Sequence, residues 1–159
     1  MIGNDIIDLK LARKESNWQR KGFLNKIFTE NEQILIQNSN NQEVTVWNLW
    51  SRKEAAYKIW NRETGIRKYN PIRFECFDFD SEIGEVKFDK IIFYTKTLIT
   101  KNFIHTIAVA NTDYFDTIKT LENSIGVKKK NELPYIFNFK EKIISKSHHG
   151  HYQKIIMLD

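Results

Sequence analysis

Apolar and polar positions change rhythm four times along the chain. MIGNDIIDL at Met1–Leu9 is rich in β-branched residues and predicts a short strand. From Leu11 to Ile27 the spacing is helical and strongly basic. Phe28 to Gln37 predicts another helix, with Thr29 as N-cap and Glu32 three residues later to close a capping box. Gln37 to Glu43 is polar and loop-like. Val44 to Asn61 is the clearest helix, carrying Val46, Leu49, Trp50, Tyr57 and Trp60 at helical spacing. Glu63 to Pro71, with Gly65 inside it, reads as a connection. Strands are expected at Ile72–Asp78, Glu85–Phe88, Ile91–Thr95 and Phe103–Ala110. Tyr114 to Ser124 predicts a last helix stopped near Gly126, and Tyr135–Phe139 and Tyr152–Leu158 predict two closing strands. Helices with mostly antiparallel strands give an α+β class.

Composition narrows the class further. With 159 residues the expectation is one domain over 1–159, and an apolar fraction of 41% argues for a packed core and against a disordered chain. The single cysteine, Cys76, can form neither an intrachain disulfide nor a thiolate zinc site. No apolar run approaches the roughly 18 residues of a membrane span. The N-terminus is too short and too acidic for a secretory signal, so the expected setting is the cytoplasm. Lys plus Arg is 25 and Asp plus Glu 20, a formal charge of +5. That surplus fits nucleic acid, a phosphorylated small molecule or an acidic protein alike.

The central helix breaks its own pattern. At about 100° per residue, Lys53 falls in the middle of the apolar stripe, and Glu54 and Lys58 project together at its edge. A charge there costs desolvation energy unless it has a partner. One reading is a site, with Glu54 holding a metal or proton and Lys53 and Lys58 holding phosphate. The other is a snorkelling Lys53 beside an exposed Glu54–Lys58 pair. Asp5 follows Gly3-Asn4 and is either a ligand or a turn aspartate. Asp5 and Asp8 are three apart, so a strand puts them on opposite faces. Ser145 to Tyr152, SKSHHGHY, fits an exposed turn, a phosphate site of hydroxyls, histidine and lysine, or a zinc site lacking a second ligand group.

Three segments taken together resemble a known family. GNDIIDL at Gly3–Leu9, WSRKEAAYK at Trp50–Lys58 and SKSHHGHY at Ser145–Tyr152 occur in the order of the signature segments of the 4'-phosphopantetheinyl transferase superfamily. The order and length are similar to its holo-[acyl-carrier-protein] synthase branch. IFTENE at Ile27–Glu32 and TGI at Thr64–Ile66 add lesser matches. The likeness covers about the first 75 residues and the last 25. Residues 78 to 125 offer no anchor.

The resemblance implies a fold of mostly antiparallel sheet packed with a long central helix. It implies an enzyme that moves 4'-phosphopantetheine from coenzyme A to a serine of an apo acyl carrier protein, releasing adenosine 3',5'-bisphosphate, as in fatty-acid synthesis. By the same resemblance Asp5 and Glu54 hold magnesium, and Glu54 and Lys58 carry catalysis. Lys58 and His148 carry over as contacts to the coenzyme A phosphates, and Lys53 and Ser147 join them as candidate cofactor-binding residues from the readings of the helix stripe and the hydroxyl-rich segment. The family's arginine after the first strand is displaced here, since Leu11 stands in its place. Arg13, Lys14, Arg20 and Lys21 are therefore expected to dock the acidic carrier. Longer members carry two pseudo-repeated halves, so a chain of this size implies a site between identical subunits, with a homotrimer favoured. The competing expectations are an inactive relative acting as a binding protein and a basic nucleic-acid-binding module; the latter leaves Lys53 and the GNDIIDL carboxylates unexplained.

Overall fold

The computed structural model describes residues 1–77, 80–121, 128–130, 133–135 and 142–159. The elements run β1 (Ile2–Asp8), α1 (Leu9–Glu15), α2 (Phe23–Ile27), α3 (Glu30–Gln37) and α4 (Gln42–Thr64). They continue with β2 (Glu75–Phe77), β3 (Ile83–Phe88), β4 (Ile91–Ile99), β5 (Phe103–Val109), β6 (Ile118–Leu121), β7 (Lys128–Lys130), β8 (Leu133–Tyr135), β9 (Ile144–His149) and β10 (Tyr152–Leu158). The main sheet is antiparallel, in the order β1-β5-β4-β3-β2, and a smaller sheet runs β6-β10-β9. This is the α+β arrangement with a long helix expected from the sequence.

Helix α4 is longer than its apolar stripe. Asn41 caps its start by accepting from the Val44 N–H at 3.2 Å, and Gly65, at φ 72°, ends it in the left-handed region. Its buried side, with Val46, Leu49, Ala55, Ala56 and Ile59, packs on Val86, Phe93, Ile104 and Ala108 from the sheet and on Phe74 just before β2. Gly3 sets the closeness of this packing: a Cβ there would lie 2.1 Å from the Ala55 carbonyl oxygen. Ile2, Val109 and Ile156 form a second cluster on the opposite face of the sheet, with Ile107, Tyr94, Phe115 and Ile118 against it.

Several sequence expectations are corrected. The basic helix of Leu11–Ile27 is two short helices, α1 and α2. Ser16 is extended and Gly22 takes φ 81°, while the Asn17 side chain turns back onto the Gln19 N–H. Ile72 lies in a 3-10 turn, Pro71–Arg73, because proline opens a helical turn readily; the strand begins at Glu75. Tyr114 to Leu121 is not α-helical. A 3-10 turn, Thr112–Thr117, leads into β6, where Ile118 and Thr120 pair with β10. Ser124, Gly126 and Asp78 lie outside the described residues, as does 136–139 of the Tyr135–Phe139 strand. The Thr29–Glu32 capping box is present as expected.

Candidate active site

Strand β1 and helix α4 bring the two expected carboxylates together. Asp5 and Glu54 line one cleft of about 370 Å³, with Trp47 and Trp50 of α4 and His148 and His149 of β9. Between the two elements, the Lys58 ammonium donates to the Asn4 carbonyl oxygen at 2.6 Å and to Asp5 Oδ1 at 3.3 Å. Lys58 thus pairs with Asp5, and not with Glu54 as a solvated helix pair would.

The electrostatics of the pair are strained. Burial raises the Asp5 carboxyl above its usual range, and Lys58 only partly offsets it. Burial, reinforced by the Asp5 charge and opposed by Lys58, lifts Glu54 to about 7. Two carboxylates that disfavour each other's charge are a donor set suited to a divalent cation of the magnesium type, which takes one or two carboxylates and fills its other positions with water and phosphate oxygen. Among the described residues no three His, Cys, Asp or Glu side chains gather as a metal site, which leaves the zinc reading of the C-terminal histidines without a ligand set.

The outer edge of β1 explains how the neighbouring side chains are held. Its outward polar groups meet side chains in place of another strand. The Ile2 carbonyl accepts from Arg62, the Asn4 carbonyl from Lys58, the Asn4 N–H donates to Ser145 Oγ, and the Asp8 N–H donates to His149 Nδ1 at 2.9 Å. A sheet edge has become a rack that positions residues from α4 and β9.

The other expected residues fall into two groups. His148 is exposed and lines the cleft. Arg13 and Lys14 lie exposed on α1, following the cleft-lining Ala12, and Arg20 and Lys21 lie exposed on the turn after it; Arg13 also grips the Glu43 carboxylate at 2.9 and 3.0 Å. Lys53 and Ser147 face inward. The Lys53 side chain is fully buried, and its ammonium donates to Glu32 at 2.7 Å and to the Ile27 and Pro71 carbonyls, so no proton remains for phosphate. Ser147 turns inward, alternating with His148 along the strand, and its hydroxyl accepts from Asn4 Nδ2 at 3.0 Å.

Four residues around the site were not assigned to it from the sequence. Asp8 caps α1 through the Lys10 and Leu11 N–H groups and holds the β9–β10 turn through the His151 N–H. Burial pushes its carboxyl up, but those three backbone donors prevail and hold it below its usual value. An aspartate directly before a helix was the signal. His105 is buried against Asn4 Nδ2 at 3.3 Å; burial, then Lys154 and Lys58, lowers it to about 4, and a lone histidine in a strand gave no hint of this. Glu32 receives Lys53, Thr29 N–H and Cys76 N–H, and its capping-box position gave only half of that role. Arg62 is reached through its place two turns beyond Glu54.

A long helix lies on an antiparallel sheet, with paired carboxylates and a lysine at the strand–helix contact. A sequence model of the 4'-phosphopantetheinyl transferase superfamily matches residues 1–110, and the chain belongs to that superfamily. A curated holo-[acyl-carrier-protein] synthase of Fusobacterium nucleatum is 35% identical over 95 residues, covering 57% of this chain and 75% of that protein. The fold is similar to that of holo-[acyl-carrier-protein] synthase from Neisseria meningitidis, with TM-score 0.57 and 17% identity over 70% of this chain and 97% of that one. It is also similar to the Helicobacter pylori enzyme solved with coenzyme A, with TM-score 0.55 and 17% identity over 69% and 98%. Among the described residues no helix is long and apolar enough to cross a membrane.

Proposed function

We propose that the chain transfers 4'-phosphopantetheine from coenzyme A to a serine of an apo acyl carrier protein, with magnesium, releasing adenosine 3',5'-bisphosphate. The observation that carries this reading is the shared cleft of Asp5 and Glu54, with Lys58 bound to Asp5 at its edge. The carrier serine oxygen forms a new bond to the phosphorus of the pantetheine arm. The bond to the second phosphate breaks, and the nucleotide leaves with the electron pair. The serine proton passes toward Glu54 through a water that it holds, since a carboxylate can be both metal ligand and base only with a water between. Lys58, one turn from Glu54, stabilises charge on the transferring phosphate. Magnesium, held by Asp5 and Glu54, would neutralise charge on the bridging phosphates. His148 reaches the donor phosphates from β9, and Arg13, Lys14, Arg20 and Lys21 form the landing surface for an acidic carrier.

The working form is taken to be a cytoplasmic homotrimer with the site between subunits. Ile83 and Leu98, each 54% exposed on the face of the sheet away from α4, supply apolar surface for such an assembly. Light scattering of the active enzyme checks it, and a fully active monomer would contradict it. For the activity, the enzyme is incubated with coenzyme A, magnesium and several apo carriers, and the carrier mass is read. An addition of about 340 Da, the mass of the transferred group in this phosphoryl-transfer scheme, is expected. No addition to any carrier would leave the fold serving as a binding protein.

A further inference from the structure

The polar face of α4 does not end at Lys58. Glu54, Lys58 and Arg62 stand four residues apart in turn, so they form one stripe along the helix, and the stripe follows β1 backwards. Glu54 shares its cleft with Asp5, Lys58 reaches the Asn4 carbonyl, and Arg62 reaches the Ile2 carbonyl at 3.0 Å through one guanidinium nitrogen. Arg62 is part-buried between helix and strand. Unlike Lys58 it has no carboxylate partner among the described residues. Burial lowers its guanidinium to about 10.

A guanidinium offers five N–H groups in a planar fork suited to phosphate. One backbone carbonyl and the weak negative end of α4 satisfy little of that capacity. Withdrawing a cation from water without an anion is unfavourable, so the position is best explained by an anion that arrives with a ligand. Lys58 already stands one turn away on the same side.

Resting on the coenzyme A reading of the site, we propose that Arg62 forms a second phosphate subsite, one helical turn beyond Lys58, that grips a phosphate of the donor nucleotide. The shared chemistry is a phosphate monoester or diester oxygen pair. Two sources present it, the pyrophosphate bridge and the 3'-phosphate of the ribose. The subsite acts in binding, so it lowers the Michaelis constant for the donor and leaves proton transfer at Glu54 untouched.

The test compares wild type, Arg62→Gln and Arg62→Lys with coenzyme A and with 3'-dephospho-coenzyme A, by calorimetric titration and by carrier modification. Arg62→Gln should weaken coenzyme A binding about tenfold, as expected for one charge-assisted contact. Its kcat and its KM for carrier should stay near wild type, and Arg62→Lys should fall between. Weakening confined to coenzyme A assigns the 3'-phosphate, and equal weakening with both donors assigns the pyrophosphate; either supports the subsite. Unchanged donor affinity in a wild-type-active background overturns it. So does a loss that raises KM for carrier equally and lowers the melting temperature, since that marks a structural tie to Ile2. If Arg62→Gln does not fold, Arg62→Lys carries the same comparison. A wild type that neither binds coenzyme A nor modifies a carrier fails the reading of the site itself, which is a different result.

Discussion

Gly3 lies directly against Ala55, with no space for a side chain between strand and helix. The Ala55 carbonyl oxygen would be 2.1 Å from a Cβ at residue 3, and Ile59 Cγ1 3.3 Å from it. This contact sets the distance between β1 and α4, hence between Asp5 and Glu54. The obstacle is helix backbone, which cannot step aside as a side chain could. Gly3→Ala should therefore cost about 1–3 kcal/mol or more in chemical denaturation. It should also lower transferase activity by a larger factor than a distant substitution of equal cost. Activity that merely tracks stability would remove Gly3 from the site's geometry.

The metal-free protein should show two opposed pH dependences. Glu54 titrates near 7 in the fold against 4.5 unfolded, so the native state holds the extra proton between those values. Its contribution is present below pH 4.5 and is lost as pH rises through 7. His105 titrates near 4 in the fold against 6.5 unfolded; its contribution is present above 6.5 and is lost as pH falls through 4. Each is worth up to about 3 kcal/mol, so they partly cancel between pH 4.5 and 6.5. Glu54→Gln should expose the histidine's acid-side loss, and His105→Gln the glutamate's loss on the alkaline side. Added magnesium should flatten the Glu54 dependence. Identical denaturation profiles for wild type and both variants would discard these assignments.

How legible this was depended on whether a feature was local. The α4 stripe, the Thr29–Glu32 box and the Gly3–Asp5 turn of sequence each announce themselves within a few residues, and α4 and α3 follow closely. Segments whose shape is decided by a distant partner did not. Residues 118–121 pair with β10, which no helical period could foretell, and Ser16 to Gly22 interrupts a pattern that remains helical in spacing. The site shows the same division. Asp5 and Glu54 were visible as motif residues. The partner of Lys53, 21 residues away at Glu32, was not, and that partner turns a candidate phosphate ligand into a structural cation.

That cation can be tested. Lys53 and Glu32 have side chains with no exposure and meet at 2.7 Å. Removing one partner leaves the other charge buried, which costs about 3–5 kcal/mol. Lys53→Met should be destabilised by that order, and Lys53→Met combined with Glu32→Gln should recover part of it. Where enough folded enzyme remains, KM for coenzyme A should be unchanged. A selective rise in that constant, with stability intact, would return Lys53 to the phosphate site.

Docking of the carrier rests on charge and position. Arg13 and Lys14 are exposed on α1, and Ala12 of the same helix lines the cleft, so an acidic surface laid there brings its serine toward Glu54. Arg13→Glu with Lys14→Glu should raise KM for carrier at least tenfold, more steeply at low salt, since exposed charges are screened over about 10 Å at 0.1 M. Because Arg13 also holds Glu43, the fold should be checked by melting. The KM for coenzyme A should not move. An unchanged carrier constant at low salt would sink the proposal.

The last relationship joins the two ends of the chain. Gly150 sits in the turn between β9 and β10 at φ 56°, and a Cβ there would stand 2.3 Å from Asp8 Oδ2. Asp8 in turn starts α1 and accepts the His151 N–H, while its own N–H reaches His149. Any side chain at residue 150 meets both a left-handed backbone and that carboxylate, and must push the turn away from β1. His148 lies on β9 two residues before Gly150, so the displacement falls on the side of the cleft that His148 lines. Gly150→Ala should lose about 1–3 kcal/mol of stability, as other strained substitutions do, and should raise KM for coenzyme A more than KM for carrier. Asp8→Asn keeps the shape but removes the charge that draws the His151, Lys10 and Leu11 N–H groups together, and should show the same bias more weakly. Equal effects on both substrates in both variants would mean that the turn supports the fold without positioning His148.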